Sequence, residues 1–331
     1  MPLSTTGKAP APIALTMGDP AGIGPLTTIQ AWRARRERSL PPFVFIGALS
    51  ALKAHDPDLP VEEISDFNHA AGIFDKVLPV FSFPLKATVV PGHPDRHNTG
   101  AVIHALDLAV KEAIAGNVSA IVTNPVHKAS LLEAGFSHPG HTGYLGAVTG
   151  RVAVMMLVNP ELRVVPVTGH IALKDVSRSL TRKHLVEVAG IVIGELKERF
   201  GIANPRIAFT GLNPHAGEGG ALGQEEIKTI IPAIRELYDL GHQVAGPFPA
   251  DTAFAPSMRG AYDAFLAMTH DQALIPIKTL DFRSSVNITL GLPFVRTSPA
   301  HGTAFNILKE GRSPDPESLI QALLMAARLT G

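Results

Sequence analysis

The sequence of 331 residues predicts an α/β fold with a mainly parallel sheet and helices on both faces. Short apolar runs of strand length alternate with segments of helical periodicity along most of the chain. Polar turns rich in glycine or proline follow several of these runs and lead into the next helix, as in βαβ units. A chain of this length is sufficient for a large core and for two domains or lobes.

The predicted strands are short apolar runs bounded by polar or turn-forming residues. They cover Ile13–Met17, Phe43–Ile46, Ala120–Val122, Val152–Val158, Val164–Val167, Ile207–Phe209, a piece that begins at Val244, and Ala264–Met268. Residues 56–98 contain many prolines and only short β-like pieces, so an irregular structure is predicted there.

The predicted helices place apolar residues on one face at intervals of three or four. In Thr99–Ala115 this face consists of Ile103, Leu106, Val110 and Ile114. Further helices are predicted over Ile23–Arg38, Thr181–Phe200, Glu225–Leu240 and Pro316–Leu329. Because no clean linker interrupts this series, interleaved lobes are expected rather than serial ones.

The composition excludes several classes of protein. The chain contains no cysteine, which rules out disulfides, thiolate catalysis and zinc–thiolate sites. Lys+Arg and Asp+Glu both number 29, so no basic field favours nucleic acid. No apolar run approaches the ~20 residues that span a bilayer, so no membrane association is expected. The polar segment MPLSTTGKAPAP lacks the apolar core of a signal peptide, and a cytoplasmic location is expected.

Four apolar runs end on or just before a histidine, at His127, His170, His215 and His270. In open α/β sheets, ligands bind beyond the carboxyl ends of the strands, so histidines at strand ends can converge. In a chain without cysteine, this makes a three-histidine metal site a candidate. A hydrogen-bonded structural role is the alternative for each histidine alone, and the HExxH zinc motif is absent.

Two glycine-rich loops precede predicted helices. In Gly18–Gly24, between a strand and a helix, the backbone N–H groups and the helix dipole favour an anion. The second loop, Gly217–Gly223, precedes the helix near Glu225. Neither loop matches GxGxxG or GxxxxGK[ST], so a Rossmann dinucleotide site and a Walker A loop are both unsupported. Ordinary turn and capping chemistry is the alternative for both.

The triplet Gly140-His141-Thr142 stands at a predicted helix start. It offers a backbone N–H, an imidazole and a hydroxyl to one anion, or Thr142 simply caps the helix. Asp251 follows a proline-containing turn and is either another cap or a carboxylate near a metal ion.

The segment from Arg259 to Gly302 combines a strand-end histidine with three spaced polar residues. After His270 it carries Lys278, Asn287 and Arg296 at intervals of nine residues, in largely apolar surroundings with β-like pieces and prolines. This pattern suggests a metal ligand beside an anion pocket. A capped strand followed by three unrelated surface residues is the alternative.

Together these motifs resemble the 4-hydroxythreonine-4-phosphate dehydrogenase family of vitamin B6 biosynthesis. The resemblance runs from LTMGDPAGIGP to RTSPAHGTAF, and its most specific segments are TNPVHKASL, GHT, GLNPHAGEGGALGQEE, PADT, HDQALIPIKTLDF and VNITLGLPFVRTS. It implies an isocitrate/isopropylmalate-dehydrogenase-like α/β fold, not a Rossmann fold, in which two lobes flank a cleft and a homodimer completes the active site. The expected lobes are residues 1–125 with 290–331, and residues 126–289.

The resemblance also implies roles for individual residues. The divalent metal ion, expected to be Zn, Mg, Co or Mn, would be bound by His170, His215 and His270. The positions matching the substrate-binding residues are His141, Thr142, Lys278, Asn287 and Arg296. NAD or NADP is expected along the loop that contains Asn213, Gly217, Gly219 and Gly220. Asp251 and Lys278 are the expected catalytic residues.

The implied reaction is the oxidation of 4-phosphooxy-L-threonine to 2-amino-3-oxo-4-phosphooxybutanoate, which loses CO2 to give 3-amino-2-oxopropyl phosphate. A divalent ion beside the substrate hydroxyl would lower the pKa of that hydroxyl while hydride leaves to NAD(P)+. Lys278 and Arg296 would supply charge for the phosphate, and arginine offers a planar fork for it.

The sequence departs from the usual family pattern around an intact ligand set. The departures are Leu26, Gly143, Gly169, Thr269 and Ala300. Two alternatives therefore stay open. One is a paralogue that oxidises phosphothreonate, phosphoerythronate or an aromatic cis-dihydrodiol carboxylate. The other is a weakened enzyme that acts mainly as a ligand-binding protein.

Overall fold

The structure is a computed structural model that describes residues 11–133, 138 and 140–331. It divides into two compact units, one formed by Met1–His138 with Pro293–Gly331 and the other by Pro139–Leu292. The first ten residues, with most of the polar N-terminal segment, and Pro139 lie outside the described residues. In the described part of the chain, no helix combines the length and apolar character needed to cross a bilayer.

The first part of the chain alternates strands and helices. Its strands are β1 (Ile13–Thr16), β2 (Phe43–Ile46), β3 (Val61–Glu63), β4 (Leu78–Phe81) and β5 (Ala120–Thr123). Its helices are α1 (Gly24–Arg33), α2 (Leu49–Lys53), α3 (Ala70–Ile73), α4 (Thr99–Ile114) and α5 (Lys128–Glu133).

The second unit contains the next six strands and six helices among the described residues. The strands are β6 (Val154–Val158), β7 (Arg163–Pro166), β8 (Arg206–Thr210), β9 (Gln243–Phe248), β10 (Ala264–Ala267) and β11 (Val286–Leu290). The helices are α6 (His141–Thr149), α7 (Leu173–Ser179), α8 (Arg182–Glu198), α9 (Ile231–Asp239), α10 (Pro256–Ala261) and α11 (His270–Asp281). The chain then returns to the first unit with β12 (Val295–Pro299), α12 (Phe305–Lys309) and α13 (Glu317–Thr330).

The strands of the first unit follow the order β3-β4-β2-β1-β5-β12. All neighbours in this order are parallel, and β12 pairs with β5 so that Arg296 lies beside Ile121. Every residue of β1, β2 and β5 is buried. Strands buried on both faces require helices on both sides, which explains their continuous apolar sequences.

The strands of the second unit follow the order β11-β6-β7-β10-β8-β9. The strands β7, β10, β8 and β9 run parallel to one another, whereas β6 is antiparallel to both β11 and β7. The core beneath β7, β8 and β10 includes Leu157, Val164, Phe265 and Ile277, each at most 3% exposed. The predicted mainly parallel α/β fold is therefore confirmed.

Two predicted helices differ from the structure in instructive ways. The first ends at Arg33 instead of Arg38, because the guanidinium of Arg35 folds over the Trp32 ring and the chain turns through Ser39 at φ 48°. The predicted helix Glu225–Leu240 opens with a π-helical turn, Glu226–Ile230, before α9 begins. Pro232 lacks an N–H group and interrupts the regular hydrogen bonding at this junction.

Candidate functional site

Three of the four strand-end histidines follow adjacent parallel strands of the second unit. His170 follows β7, His215 follows β8, and His270 begins α11, separated from β10 by two residues. Because β10 pairs in parallel with both β7 and β8, the carboxyl ends of these strands lie at one edge of the sheet. His127 follows β5 in the first unit, where its Nδ1 lies 2.7 Å from Ser130 Oγ.

Hydrogen bonds through two threonines join the ends of these three strands. The Thr168 hydroxyl donates to the Met268 carbonyl at 2.6 Å, and the Met268 N–H donates to Thr210 Oγ1 at 3.2 Å. Both threonine side chains are at most 4% exposed, so these bonds are not weakened by solvent. The edge that carries the histidines is therefore a fixed part of the second unit.

His170 and His270 lie side by side at this edge. Their ring centroids are 5.1 Å apart, and the His270 side chain is 31% exposed. His270 Nδ1 lies 2.8 Å from a carboxylate oxygen of Asp271. Since a carboxylate only accepts, Nδ1 carries the proton and the Nε2 lone pair stays available to a metal ion.

His215 occupies a left-handed turn that links β8 to the glycine-rich loop. Its imidazole is exposed, with Nδ1 3.9 Å from the Glu218 carboxylate. Across the described residues, no three His, Asp or Glu side chains are already arranged around a common point suitable for a metal ion. The structure thus brings His170 and His270 together and leaves His215 on the neighbouring loop.

The turn from His215 to Gly219 consists of five consecutive residues with positive φ. The φ values run from 45° at Glu218 to 81° at Gly217, and His215 and Ala216 both have 52°. A left-handed conformation costs roughly 1–2 kcal/mol for each non-glycine residue. Three such residues in one turn must be held by the surrounding structure, which is common at functional sites.

The predicted cofactor residues share this loop. Asn213 precedes the turn, Gly217 and Gly219 belong to it, and Gly220 follows at φ 101°. The space where a Cβ atom of Gly219 would stand is open, with no atom within 4 Å. At Gly219 the backbone is therefore accessible to a ligand.

The predicted substrate residues His141 and Thr142 open helix α6. Gly140 is the N-cap at φ 156°, and no side chain forms a capping hydrogen bond there. The alternative in which Thr142 caps the helix is therefore wrong, because the helix starts one residue before Thr142. Both side chains are half-buried at the first turn of α6.

Lys278 lies in helix α11, so the β-like segment predicted around it is wrong. Thr269 and Gln272 form a capping box that starts this helix, and Pro276 is accommodated inside it. The Lys278 ammonium is exposed and lies 5.4 Å from the centre of the Phe282 ring. Its long stem gives the charge considerable reach.

Asn287 and Arg296 lie on strands, and both contain buried polar atoms. Asn287 stands on β11, and its Oδ1 is buried without a hydrogen-bond donor among the described residues. Arg296 stands on β12 in the first unit, is 2% exposed, and donates through Nη2 to Thr123 Oγ1 at 2.5 Å. Burial lowers the pKa of Arg296 to about 9. Neither residue fits the alternative of an ordinary surface side chain.

Asp251, the candidate proton acceptor, lies in the turn between β9 and α10. Its side chain is exposed. The neighbouring Thr252 hydroxyl lies 3.3 Å from the Pro249 carbonyl, which closes the turn locally.

The glycine-rich loop of the first unit is built as a turn. The N–H groups of Ala21 and Gly22 donate to Asp19, and that of Ile23 donates to the Thr303 carbonyl. Groups that are already hydrogen-bonded do not offer themselves to a phosphate, so turn chemistry accounts for this loop. Burial raises the pKa of the Asp19 carboxyl, opposed by the Ala21 N–H group and by His127.

Two residues of this edge were not identified from the sequence. Gln272 accepts from Thr210 Oγ1 at 3.2 Å and donates to the Gly211 carbonyl at 3.0 Å. Glu226 is 2% exposed and accepts from the backbone of Leu212 at 2.8 Å. A glutamate inside the glycine-rich segment GEGGALGQEE is the one sequence signal that pointed to the second residue.

Comparison with known proteins identifies the family of this chain. Residues 40–326 match the family described as pyridoxal phosphate biosynthetic protein PdxA. A 4-hydroxythreonine-4-phosphate dehydrogenase of Bradyrhizobium diazoefficiens is 48% identical, with 96% of each chain covered. The protein of the same name from Zymomonas mobilis is 45% identical, covering 96% of this chain and 95% of the relative.

Solved structures show the same relationship. A 4-hydroxythreonine-4-phosphate dehydrogenase from Klebsiella pneumoniae is 35% identical with a TM-score of 0.84, covering 97% of this chain and all of that one. A terephthalate 1,2-cis-dihydrodiol dehydrogenase from Burkholderia xenovorans is 26% identical with a TM-score of 0.64, covering 97% of this chain and 98% of that one. Since the family model covers most of the chain and the relatives match along nearly their whole length, the chain belongs to the PdxA family of pyridoxal phosphate biosynthetic proteins.

Proposed function

We propose that the chain is a metal-dependent, NAD(P)-linked dehydrogenase that oxidises the 3-hydroxyl of 4-phosphooxy-L-threonine. The relatives that are 45% and 48% identical are named for this substrate. The structural observation that supports the proposal is the pair His170 and His270, whose ring centroids are 5.1 Å apart. The neighbouring strand β8 leads to His215 at the same edge of the sheet.

The residues at this edge fit a divalent metal ion. Imidazoles suit Zn and Co, and a chain without cysteine has no thiolate to compete. The hydrogen bond between His270 and Asp271 orients one imidazole, as outer carboxylates do in many metal sites. His170, His215 and His270 would hold the ion, which would lower the pKa of an alcohol beside it.

Asn287 and Arg296 are the residues best suited to the substrate's polar groups, Asn287 to a donor and Arg296 to an anion. The buried Oδ1 of Asn287 needs a donor, and the amino group of the substrate would provide one. The guanidinium of Arg296 is already removed from water, so a bound phosphate or carboxylate would offset the cost of its burial. Lys278, His141 and Thr142 supply further donors from helix starts and helix faces.

The loop after β8 is proposed to bind the dinucleotide, NAD or NADP. Asn213, Gly217, Gly219 and Gly220 belong to this loop, and the backbone at Gly219 is open. A backbone without side chains lets a flat or charged ligand approach closely.

The proposed oxidation removes a hydride and a proton from the substrate. Hydride leaves the carbon that bears the 3-hydroxyl for the nicotinamide ring, and the hydroxyl proton passes to a base. Asp251 is the proposed base, since its carboxylate is exposed in a turn and free to approach a bound substrate. The 3-oxo acid then loses its carboxylate as CO2, and the carbon left behind takes up a proton.

A homodimer is proposed, with the second copy completing the site. Exposed apolar side chains follow two proposed ligands in the sequence. After His170 they are Ile171 and Leu173, 43% and 79% exposed, and in the segment after His215 they are Leu222 and Ile227, 49% and 43% exposed. Exposed apolar side chains in the segments that carry proposed ligands favour an interface there.

A second candidate substrate is an aromatic cis-dihydrodiol carboxylate. The dihydrodiol dehydrogenase from Burkholderia xenovorans, 26% identical, favours it. Arg296 would then hold a carboxylate in place of a phosphate.

The decisive experiment is a substrate panel. The purified protein is assayed for NADH and NADPH formation with 4-phosphooxy-L-threonine, phosphothreonate, phosphoerythronate and an aromatic cis-dihydrodiol carboxylate, each with Mg, Mn, Co or Zn. We expect turnover with the first compound and loss of turnover after chelation. Turnover with another compound alone would replace the proposed substrate. Tight binding of 4-phosphooxy-L-threonine without any NAD(P)H would identify a ligand-binding protein instead.

A further inference from the structure

The carboxylate of Glu226 is buried directly against the loop that carries His215. Glu226 is the first residue of the π-helical turn before α9, and it is 2% exposed. Oε1 accepts the N–H groups of Leu212 and Asn213, both at 2.8 Å, and Oε2 accepts the Asn213 side-chain amide at 2.9 Å. All three donors belong to the two residues that lead into the left-handed turn.

The backbone of this loop rests on the same carboxylate. A Cβ atom at Gly217 would stand 2.6 Å from Glu226 Oε2, and one at Gly211 would stand 3.2 Å from Oε1. At Gly217 the missing Cβ therefore lets the turn lie against the carboxylate, whereas a Cβ atom at Gly211 would first meet the Ala216 Cα at 2.8 Å. A close backbone approach of this kind is one of the few reasons that make glycine necessary.

The chemistry of this contact calls for a carboxylate in particular. Three N–H donors face the two oxygens of Glu226, and an ionised carboxylate is the side chain that only accepts. The carbonyl oxygen of a glutamine could accept the N–H groups of Leu212 and Asn213. Its NH2 group, however, would then face the side-chain NH2 group of Asn213, and two donors cannot form a hydrogen bond with each other. Glu225 beside it accepts a second hydrogen from Asn213 Nδ2 at 2.8 Å, so both carboxylates fix the Asn213 side chain.

We infer that Glu226 is the positioning residue for His215. By fixing Leu212 and Asn213, it holds the entry to a turn in which His215, Ala216 and Glu218 are left-handed without being glycine. The inference rests on the proposed metal site, because it assigns Glu226 to one of the three proposed ligands. Glu226 does not touch the metal ion or the substrate; it acts through the backbone before His215.

Metal binding tests this role without measuring turnover. Co2+ is titrated into the metal-free full-length protein, and both the dissociation constant and the visible absorption spectrum of the bound ion are recorded. We expect Glu226→Gln to weaken Co2+ binding by about 10–100-fold, the usual cost of losing an outer partner. We also expect the spectrum of the remaining complex to change, since the ligand geometry changes.

Glu195→Gln is the matched control. Glu195 is also a buried glutamate of the second unit, 8% exposed, and it accepts a backbone N–H, that of Gly291, at 2.9 Å. We expect this variant to bind Co2+ as the parent protein does, with the same spectrum. A weakening shared by both variants would show that loss of any buried carboxylate loosens the unit, and would overturn the positioning role.

The outcomes separate this inference from the proposed function. A parent protein that binds no Co2+ would overturn the metal site and the inference with it. A parent that binds Co2+ and a Glu226→Gln variant that binds it equally well, with an unchanged spectrum, would overturn the inference alone. If Glu226→Gln does not fold, Glu226→Asp, which keeps the charge on a shorter stem, is titrated and the same weakening is expected. Loss of folding in both would assign Glu226 to stability and overturn its positioning role.

Discussion

The side-chain amide of Gln272 donates to the Gly211 carbonyl at 3.0 Å. Through its Oε1, the same side chain accepts the Thr269 N–H at 3.1 Å and completes the capping box of α11. One glutamine therefore fixes both the start of the helix that carries His270 and the end of the strand that leads to His215. This side chain therefore contributes to the relative placement of two proposed metal ligands.

We expect Gln272→Leu to lower the free energy of unfolding by about 1–3 kcal/mol, because buried backbone groups lose their partners and a helix cap is removed. Metal affinity should fall as well, since two ligands lose a common support. Chemical denaturation and Co2+ titration measure the two effects. Gln321→Leu in α13, where the amide contacts Glu317, is the control and should leave Co2+ affinity unchanged. Unchanged affinity in Gln272→Leu would contradict this role.

Among the strand-end histidines, the metal proposal distinguishes between His270 and His127. We expect His270→Ala to lose the divalent ion, with an affinity loss larger than the roughly 10–100-fold cost of losing an outer partner. His127→Ala should retain it, because His127 belongs to the other unit and contacts Ser130. Metal content after dialysis, measured by mass spectrometry, checks both variants. Equal metal content in the two would refute the ligand assignment.

Arg296 should matter for substrate binding and little for stability. A charge-assisted hydrogen bond to a phosphate contributes roughly 1.5–3 kcal/mol, so Arg296→Met should weaken the phosphorylated substrate by at least about tenfold. The variant should lose only modest stability, because removing a buried charge offsets part of the loss of the hydrogen bond to Thr123. Calorimetric binding and thermal unfolding measure the two effects.

Metal and dinucleotide affinity are the internal controls for Arg296→Met, and both should stay within about twofold of the parent values. If the variant bound the phosphorylated substrate as tightly as the parent, a substrate without the anion would become the better proposal.

The proposed dimer can be tested at the exposed apolar side chains that follow the proposed metal ligands in the sequence. We expect sedimentation at micromolar concentration to show a dimer, and Leu173→Glu to shift it toward monomer with loss of activity. Leu173 is 79% exposed at the start of α7, and burying a glutamate there is costly. Leu240→Glu is the control, since Leu240 is 63% exposed after α9. A fully active monomer of the parent protein would refute the assembly.

The buried carboxyl of Asp19 should make the protein less stable to unfolding as pH rises. Burial raises the pKa of its carboxyl above the unfolded value of 3.8. Between the unfolded and the folded pKa, the native state binds more protons than the unfolded state, so stability falls as pH rises through that range. We expect Asp19→Asn to be more stable than the parent at neutral pH, and the difference to shrink as the pH approaches 4. Denaturation midpoints across pH measure this difference.

For Asp95→Asn, in the same unit, we expect the opposite pH dependence: the variant should be less stable than the parent at neutral pH, and the difference should shrink as pH falls. Hydrogen bonds from the backbone and side chain of His97 hold the pKa of Asp95 below its usual value of 3.8. Its contribution to stability is therefore present above the unfolded pKa and is lost as pH falls. The same pH dependence in both variants would contradict the assignment for Asp19.

Most strands were predictable because their apolar runs are short and sharply bounded. Phe43–Ile46 coincides with β2, and Thr99–Ala115 differs from α4 by one residue. The position of His170, His215 and His270 after three neighbouring parallel strands also followed from strand periodicity, and the structure brings the rings of His170 and His270 side by side. These features depend on local sequence, which a pattern can represent.

The remainder depends on contacts between residues distant in the chain. Lys278 was expected among β-like pieces, yet it lies on α11, because the capping box at Thr269 starts a helix despite Pro276. Gln272 and Glu226 hold loops whose carbonyl and N–H groups lie 13 to 61 positions away in sequence. No local pattern reveals which loop a buried polar side chain will meet.

The return of the chain to the first unit has a consequence for its synthesis. β12 pairs with β5, yet all of the second unit is translated between them. The ribosome therefore delivers every residue of Pro139–Leu292 before the strand that completes the first sheet exists. The second unit is able to acquire its structure while the first still waits for β12 and α13, with the apolar flank of β5 uncovered. The buried Arg296, carried by β12, reaches its place only in the last stage of translation.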